Sequence, residues 1–147
     1  MTTIVRAAKA GDLHKLALYE RQLYGAEGYP ELLFYQALRQ WPQLLLVAQS
    51  DDTVSGYSMM APLPQQRASL MSLLVASDYR QLGIGRLLLL HSLQVATEHG
   101  FGEMELSVSP QNDKAINLYQ KSGFVIYDDV PDYLGPGEHR LIMQRTL

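Results

Sequence analysis

Two glycines and an arginine lie between two apolar runs in the stretch YRQLGIG, residues 79–85. The run before it, residues 70–76, is typical of a buried strand, and residues 87–90 are typical of a buried helix. A helix that begins after such a turn leaves its first amides unpaired, and its dipole makes that end partly positive. Glycine at positions 83 and 85 keeps side chains away and lets consecutive N–H groups point into one concavity. The stretch therefore predicts a phosphate-binding loop.

Two common kinds of phosphate loop do not fit this spacing. A dinucleotide-binding turn needs a third small residue for close helix packing, whereas leucine stands there in Gly83-Ile84-Gly85-Arg86-Leu87-Leu88. No Gly-Lys-Ser/Thr sequence follows the glycines, which excludes a P-loop. Some other phosphate-bearing ligand is expected.

A second polar stretch, NDKAINLYQKSGF, begins at Asn112, about 30 residues further along the chain. Asn112 is typical of a residue that caps a helix N-terminus. Tyr119 follows seven residues later, close to two helical turns, so both side chains project from the same face. The phenol of Tyr119 is a candidate proton donor, and a core aromatic is the alternative interpretation.

Composition excludes several kinds of chemistry. The chain has no cysteine, so disulfides, thiolate nucleophiles and cysteine-ligated zinc are ruled out. Its four histidines show no metal-ligand spacing, and we predict no metal site. The net charge of -3 provides no overall positive field for a nucleic-acid backbone, and we predict no nucleic-acid partner.

The whole chain, residues 1–147, has the length and the 47% hydrophobic content of a single globular domain. Its first residues, MTTIVRAAKAGD, lack the apolar core of a secretory signal. No apolar run approaches the length of a membrane span. We therefore expect a soluble, cytoplasmic protein without a membrane partner.

Hydrophobic periodicity predicts eleven elements in the order βααβββαβαββ. The first helix opens at Gly11-Asp12 and follows an amphipathic stripe through Leu13, Leu16, Ala17, Glu20 and Leu23. The second is ELLFYQALRQ, ended by Trp41-Pro42. The other two cover residues 84–99 and 112–121, and the strands cover residues 3–7, 44–49, 54–61, 68–76, 103–108, 124–127 and 141–144. Pro62 and Pro64 are assigned to a loop.

A strand, a crossover helix and another strand in the middle of the chain imply a parallel pair, while the hairpins imply antiparallel neighbours. The prediction is an α/β fold with a mixed seven-stranded sheet and helices on both faces. Its edge strands are compatible with a homodimer, although no interface is evident from the sequence.

Both polar stretches resemble motifs of the GCN5-related N-acetyltransferases. Arg80-x-x-Gly83-x-Gly85 is similar to the (Arg/Gln)-x-x-Gly-x-(Gly/Ala) pyrophosphate loop of that family. The segment from Asn112 to Phe124 resembles its N-x-x-A-x-x-L-Y-x-K-x-G-F segment. The element order agrees with the family over nearly the full length.

The resemblance implies acetyl-coenzyme A (acetyl-CoA) as donor and co-substrate. Its pyrophosphate would lie on the amides of residues 82–86, and the arginines beside them would supply positive charge. Main chain at two residues of the preceding strand would bind the pantetheine arm, together with the side chain of Asn112. The implied donor-binding residues are Leu74, Val75, Arg80, Gln81, Leu82, Gly83, Ile84, Gly85, Arg86 and Asn112.

The resemblance also assigns Tyr119 as the general acid. When an amine attacks the thioester, coenzyme A thiolate leaves, and a phenol within hydrogen-bond reach of the sulfur can protonate it. Peptide-acetylating relatives often carry a glutamate that acts as the general base five residues before the asparagine, but this chain has Ser107 there. Glu105, two residues earlier on the same strand face, is the candidate base, directly or through water. A hydrogen-bonded strand carboxylate is the alternative role.

The acceptor is the least determined feature. Deprotonating a lysine at pH 7 costs roughly 4.6 kcal/mol, against about 1 kcal/mol for an α-amine, so a site without a strong base favours the α-amine. Tyr133 lies in a segment, VPDYLGPGE, similar to the Tyr-Tyr-x-x-Gly-Glu hairpin of protein N-terminal acetyltransferases, although Leu134 replaces the second tyrosine. Tyr24 and Tyr29 are expected to form the opposite wall.

Three alternatives remain open at this stage. Small-molecule amines are a second acceptor class beside peptide α-amines. A non-catalytic acyl-CoA-binding regulatory module would keep the loop and lose the chemistry, as Ser107 allows. An interaction protein with a merely structural glycine turn would not bind coenzyme A at all.

Overall fold

The computed structural model describes residues 1–147 and contains four α-helices and seven strands. The helices are α1 (Leu13–Tyr24), α2 (Glu31–Gln40), α3 (Ile84–Glu98) and α4 (Asp113–Lys121). The strands are β1 (Thr3–Ala7), β2 (Leu45–Ser50), β3 (Thr53–Leu63), β4 (Arg67–Val75), β5 (Glu103–Val108), β6 (Val125–Val130) and β7 (Arg140–Thr146). None of the helices has both the length and the apolar character needed to cross a membrane.

The seven strands form one sheet in the order β1-β2-β3-β4-β5-β7-β6. Only β4 and β5 are parallel, because α3 carries the chain across the sheet between them. Alternate residues of β2 face opposite sides: Leu46 packs with α3 and α4, whereas Leu45 packs with α1 and α2. The predicted mixed sheet with helices on both faces is confirmed.

Several element boundaries differ from the predicted ones. A short 3-10 turn, Ala10–Asp12, precedes α1, which begins at Leu13. Pro62 lies in β3, where it pairs with Ala68 of β4. The pairing of β3 with β2 ends at Met59 of β3. Pro62 therefore lies locally on an edge, and its missing N–H breaks no ladder hydrogen bond on that side. The last two strands are longer than predicted. β6 pairs with β7 over residues 125–130, and the added end of β7, Arg145 and Thr146, pairs with β5.

The sheet separates between β4 and β5. These strands pair at only three positions, the last of which joins Ser69 to Glu105. β5 continues its pairing with β7 as far as Val108, and β4 continues its pairing with β3 as far as Val75. The β3–β4 register also shifts, so that Met71 is the extra residue of a β-bulge. The bulge turns β4 away from β5 and opens a cleft between their carboxyl ends.

Candidate active site

The turn before α3 presents a row of unpaired main-chain donors. Gly83 is the residue before the helix and has a φ of 80°, in the left-handed region that favours glycine. No backbone N–H of residues 80–86 makes a hydrogen bond within the protein; the first helical bond runs from Leu87 N to Gly83 O at 3.1 Å. This geometry fits a diphosphate, whose oxygens accept hydrogen bonds from such amides. Gln81, Leu82 and Ile84 belong to this row of unpaired donors, and their contact with a phosphate stays a prediction.

The second glycine of the loop is not required by the protein itself. An added Cβ at Gly85 would lie 3.7 Å from Val75 Cγ2, which is ordinary contact. Any need for glycine at this position would come from a bound molecule.

A small cleft beside the loop joins it to α1. Its volume is about 230 Å³, and three predicted donor-binding residues, Leu74, Val75 and Arg80, line it. Leu74 is buried in the core under α1 and α2, while Val75 is half-buried. The exposed Arg80 donates from Nε to Val75 O at 3.4 Å, which holds its guanidinium at the end of β4. Arg86 is exposed in the first turn of α3. Positive charge therefore flanks the unpaired amides.

Asn112 caps α4. Its Oδ1 accepts a hydrogen bond from Ala115 N at 3.2 Å, the capping role expected from the sequence. Its side-chain nitrogen is not used in that bond and is available to another molecule. Binding of pantetheine by Asn112 stays a prediction.

Tyr119 is the one buried residue of α4. Its ring packs edge-to-face against Phe124, with the ring centroids 5.7 Å apart. Its hydroxyl makes no hydrogen bond within the protein, and no fully buried side-chain oxygen lacks a partner, so this oxygen reaches solvent. Burial, with a smaller contribution from Tyr24, raises the pKa of Tyr119 to about 12. Tyr119 is thus both a core aromatic and a phenol with a free, protonated hydroxyl.

A larger cavity of about 670 Å³ occupies the cleft between β4 and β5. It brings together residues that are distant in the sequence. Tyr24 and Tyr29 line it from the first helix and the loop after it, Tyr133 from the β6–β7 connection, and Glu105 from β5. These are the three predicted acceptor-binding tyrosines and the predicted base.

Glu105 is held by two partners. Its Oε1 accepts hydrogen bonds from Arg67 Nη1 at 3.2 Å and from the Tyr127 hydroxyl at 2.8 Å. The bond to Glu105 is the main reason that the pKa of Tyr127 is raised. Glu105 is therefore a hydrogen-bonded strand carboxylate, as the alternative interpretation had it. Its role as base stays a prediction. Ser107 also lines the cavity.

Glu20 is a cavity residue that the sequence analysis did not identify as functional. It is only 2% exposed, and it accepts hydrogen bonds from the Tyr57 hydroxyl, Ser72 Oγ and Tyr29 N. Burial and, after it, the negative charge of Glu20 raise the pKa of Tyr57. The available indication was its spacing, because Glu20 falls on the apolar stripe of α1, where a carboxylate is unusual.

The cavity lining is predominantly acidic. Four carboxylates, those of Glu20, Glu27, Glu105 and Glu138, face one arginine, Arg140. Arg140 donates to Glu138 at 3.1 Å. Glu27 is exposed at the cavity wall formed by the α1–α2 loop. The sequence analysis included Glu138 only as the last residue of the VPDYLGPGE segment and did not identify Glu27 or Arg140, which are charges in a loop and at a strand end with no pattern that distinguishes them.

Residues 10–124 match the model of the acetyltransferase (GNAT) family. An N-alpha-acetyltransferase of Sulfurisphaera tokodaii is 30% identical over 97% of this chain and 92% of its own length. The crystal structure of Ard1 from Thermoplasma volcanium has a TM-score of 0.91 at 24% identity and covers 100% of this chain and 99% of that one. Arabidopsis thaliana Naa50 in complex with the bisubstrate analogue CoA-Ac-MVNAL has a TM-score of 0.83 at 21% identity, with 100% of both chains covered.

Proposed function

Because the chain belongs to the acetyltransferase (GNAT) family, we propose that it transfers acetyl from acetyl-CoA to the α-amine of a peptide or protein N-terminus. The family match and the N-alpha-acetyltransferase relatives identify it as an acetyl-CoA-dependent N-acetyltransferase. The acceptor and the catalytic residues are the proposed part. The observation that carries the proposal is the arrangement along β4: a cleft at its carboxyl end, followed in the chain by the unpaired amides of residues 80–86, and a tyrosine-walled cavity beside its middle.

The geometry supports direct attack within a ternary complex. The acceptor nitrogen forms a bond to the thioester carbon, the carbon–sulfur bond breaks, and the nitrogen loses a proton. Tyr119 protonates the departing sulfur, because its raised pKa keeps the hydroxyl protonated at neutral pH. The chain has no cysteine that could carry an acetyl group between two half-reactions. Glu105, or a water beside it, receives the proton from nitrogen.

An α-amine is the acceptor that demands least of this base. Glu105 already accepts hydrogen bonds from Arg67 and Tyr127 through Oε1, so this oxygen is engaged within the protein before an acceptor binds. Lysine deprotonation at pH 7 costs about 3.6 kcal/mol more than that of an α-amine. The tyrosine walls formed by Tyr24, Tyr29 and Tyr133 supply apolar faces and hydroxyls that suit a short extended peptide.

Replacing Glu105 with glutamine is expected to lower turnover about tenfold, since glutamine still accepts from Arg67 and Tyr127 but takes no proton. Steady-state kinetics with a peptide acceptor measure the change. Glu103→Gln is the matched control, because Glu103 lies on the same strand two residues earlier and outside the cavity lining. Equal turnover in both variants would remove Glu105 from the mechanism.

The acidic lining predicts discrimination by acceptor charge. The value of kcat/KM should be about threefold or more higher for peptides with lysine at the second position than for peptides with glutamate there. This ratio of kcat/KM values should be smaller in high salt. Glu27→Gln should narrow the ratio because it removes an exposed cavity carboxylate. Glu31→Gln, whose carboxylate lies outside the cavity lining and pairs with His14, should leave it unchanged. A ratio of one in the native protein would contradict the charge argument.

The proposed function is tested by incubating the protein with acetyl-CoA and a peptide library and locating the acetyl group by mass spectrometry. Acetylation at the α-amine is expected, with lysine side chains left unmodified. Turnover of small amines but of no peptide would favour the small-molecule alternative. Thermal stabilisation by coenzyme A without any turnover would favour a regulatory acyl-CoA-binding module.

A further inference from the structure

We propose that Glu20 is a positioning residue that fastens the α1–α2 loop to the bulged part of β4 and so sets the width of the acceptor cavity. This inference rests on the proposed function, because the cavity is assigned to the acceptor there. Glu20 lies on α1 and lines the cavity, yet it is only 2% exposed. Its carboxylate is therefore part of the cavity floor.

The carboxylate joins three separate parts of the chain. Oε1 accepts from the hydroxyl of Tyr57 on β3 and from Ser72 Oγ on β4, the latter at 3.1 Å. Oε2 accepts from the main-chain N–H of Tyr29, in the loop after α1, also at 3.1 Å. Both oxygens are used, and hydrogen bonds to a charged acceptor are among the stronger ones in proteins.

A second bond ties the same loop to the same strand. The Tyr29 hydroxyl donates to Met71 O at 3.2 Å. Met71 is the extra residue of the β-bulge, and it lies beyond Ser69, the last β4 residue paired with β5. The loop is thus attached to β4 at the point where the sheet opens.

Gly28 permits this approach. A Cβ at Gly28 would lie 2.7 Å from Glu20 O and 2.9 Å from Glu20 C, and both of these are backbone atoms. Its φ of -66° is accessible to any residue, so the requirement for glycine is one of space. A larger residue at position 28 would push the loop, and Tyr29 with it, away from Glu20.

Stability alone does not call for a carboxylate at this position. Glu20 continues the stripe of Leu13, Leu16 and Ala17, all of them buried. An apolar side chain there would complete the stripe without the cost of removing a charge from water, and such replacements of buried ionic groups are often neutral or stabilising. The carboxylate instead provides two acceptor atoms in fixed directions, one toward the sheet and one toward the loop.

The test combines hydrogen exchange at the Tyr29 amide with separate KM values for donor and acceptor. In Glu20→Ala and Gly28→Ala, Tyr29 should exchange about tenfold faster or more, and the acceptor KM should rise about fivefold or more while the donor KM stays within about twofold. Glu20→Gln should stay close to the native protein, because its amide oxygen can accept from Tyr29 N and its NH₂ can donate to the two hydroxyls. Gly11→Ala is the control, since nothing lies within 4 Å of a Cβ there.

Each outcome decides the proposal. An unchanged acceptor KM in folded Gly28→Ala overturns it, as does an equal rise in donor and acceptor KM, which would indicate general loosening. Equal loss in Glu20→Gln and Glu20→Ala also overturns it, since the carboxylate would then act through its charge.

If Glu20→Ala does not fold, Gly28→Ala and Tyr29→Phe provide the same measurements. If no amine is acetylated, the proposed function fails, whereas the exchange of Tyr29 still decides whether Glu20 holds the loop.

Discussion

Tyr119→Phe is expected to lower turnover about tenfold or more and to leave the affinity for coenzyme A nearly unchanged. The Tyr119 hydroxyl makes no hydrogen bond within the protein and reaches solvent, so its removal takes away the proposed proton donor and breaks no other hydrogen bond. Without that proton, the sulfur must leave as a thiolate. Turnover is measured by the release of coenzyme A, and donor affinity by calorimetry.

Two internal controls accompany this variant. Phenylalanine keeps the edge-to-face packing on Phe124, so the midpoint of thermal unfolding should stay within a few degrees of the native value. Tyr35→Phe removes a hydroxyl from an exposed position on α2 and should leave turnover unaffected. Undiminished turnover in folded Tyr119→Phe would take the general acid role away from this residue.

The raised pKa of Tyr119 also predicts the pH dependence of the native protein. With a pKa of about 12, the hydroxyl stays protonated throughout the range in which an α-amine of pKa near 7.7 loses its proton. The rate should therefore rise with pH through the titration of the acceptor and should not fall again below about pH 10. A descending limb near neutral pH would indicate a different proton donor.

The raised pKa of Tyr119 also makes the free energy of unfolding depend on pH in the alkaline range. Burial raises the pKa of Tyr119 above its unfolded value near 10, so the contribution of this group to stability is complete below pH 10. It is lost as the pH rises from there toward about 12. Tyr119→Phe should remove this part of the alkaline loss of stability, which denaturant titrations at several pH values would measure.

Gly83→Val is expected to abolish measurable binding of coenzyme A. Valine at a φ of 80° is strongly disfavoured, by about 1–3 kcal/mol, and the turn would rearrange to relieve the strain. Rearrangement would disperse the unpaired amides of residues 80–86, which provide the proposed diphosphate contacts. Isothermal titration calorimetry with coenzyme A measures the loss.

The opposite end of the same helix offers a matched control. Gly100 has a φ of 83°, and, as at Gly83, nothing lies within 4 Å of an added Cβ. Gly100→Val should therefore carry a similar backbone cost and retain native affinity. If Gly83→Val retained its affinity, or if both variants lost it equally, the diphosphate would not be bound by the amides of this loop.

Most of the fold was predictable because its determinants are local. Strand alternation, helical spacing, Gly83 before α3 and Asn112 before α4 each act within a few residues, and all eleven elements were predicted in their observed order. The parallel β4–β5 pair followed from the crossover helix. The boundary errors at Pro62 and in the last two strands arose where a neighbouring strand, and not the local sequence, determines how far pairing extends.

Local sequence patterns were enough to predict the element order, the glycine turn before α3, the place of Tyr119 on α4 and the family. The three-dimensional arrangement was needed to show which groups line the cavity between β4 and β5, that Arg67 and Tyr127 donate hydrogen bonds to Glu105, and that Glu20 lies buried beneath the cavity. The physical reason is separation along the chain. Glu20 and Ser72 are 52 residues apart, and a hydrogen bond between them leaves no periodicity or spacing in either segment. Such contacts exist only once the bulge and the opening of the sheet have brought the helix, the loop and the strand together.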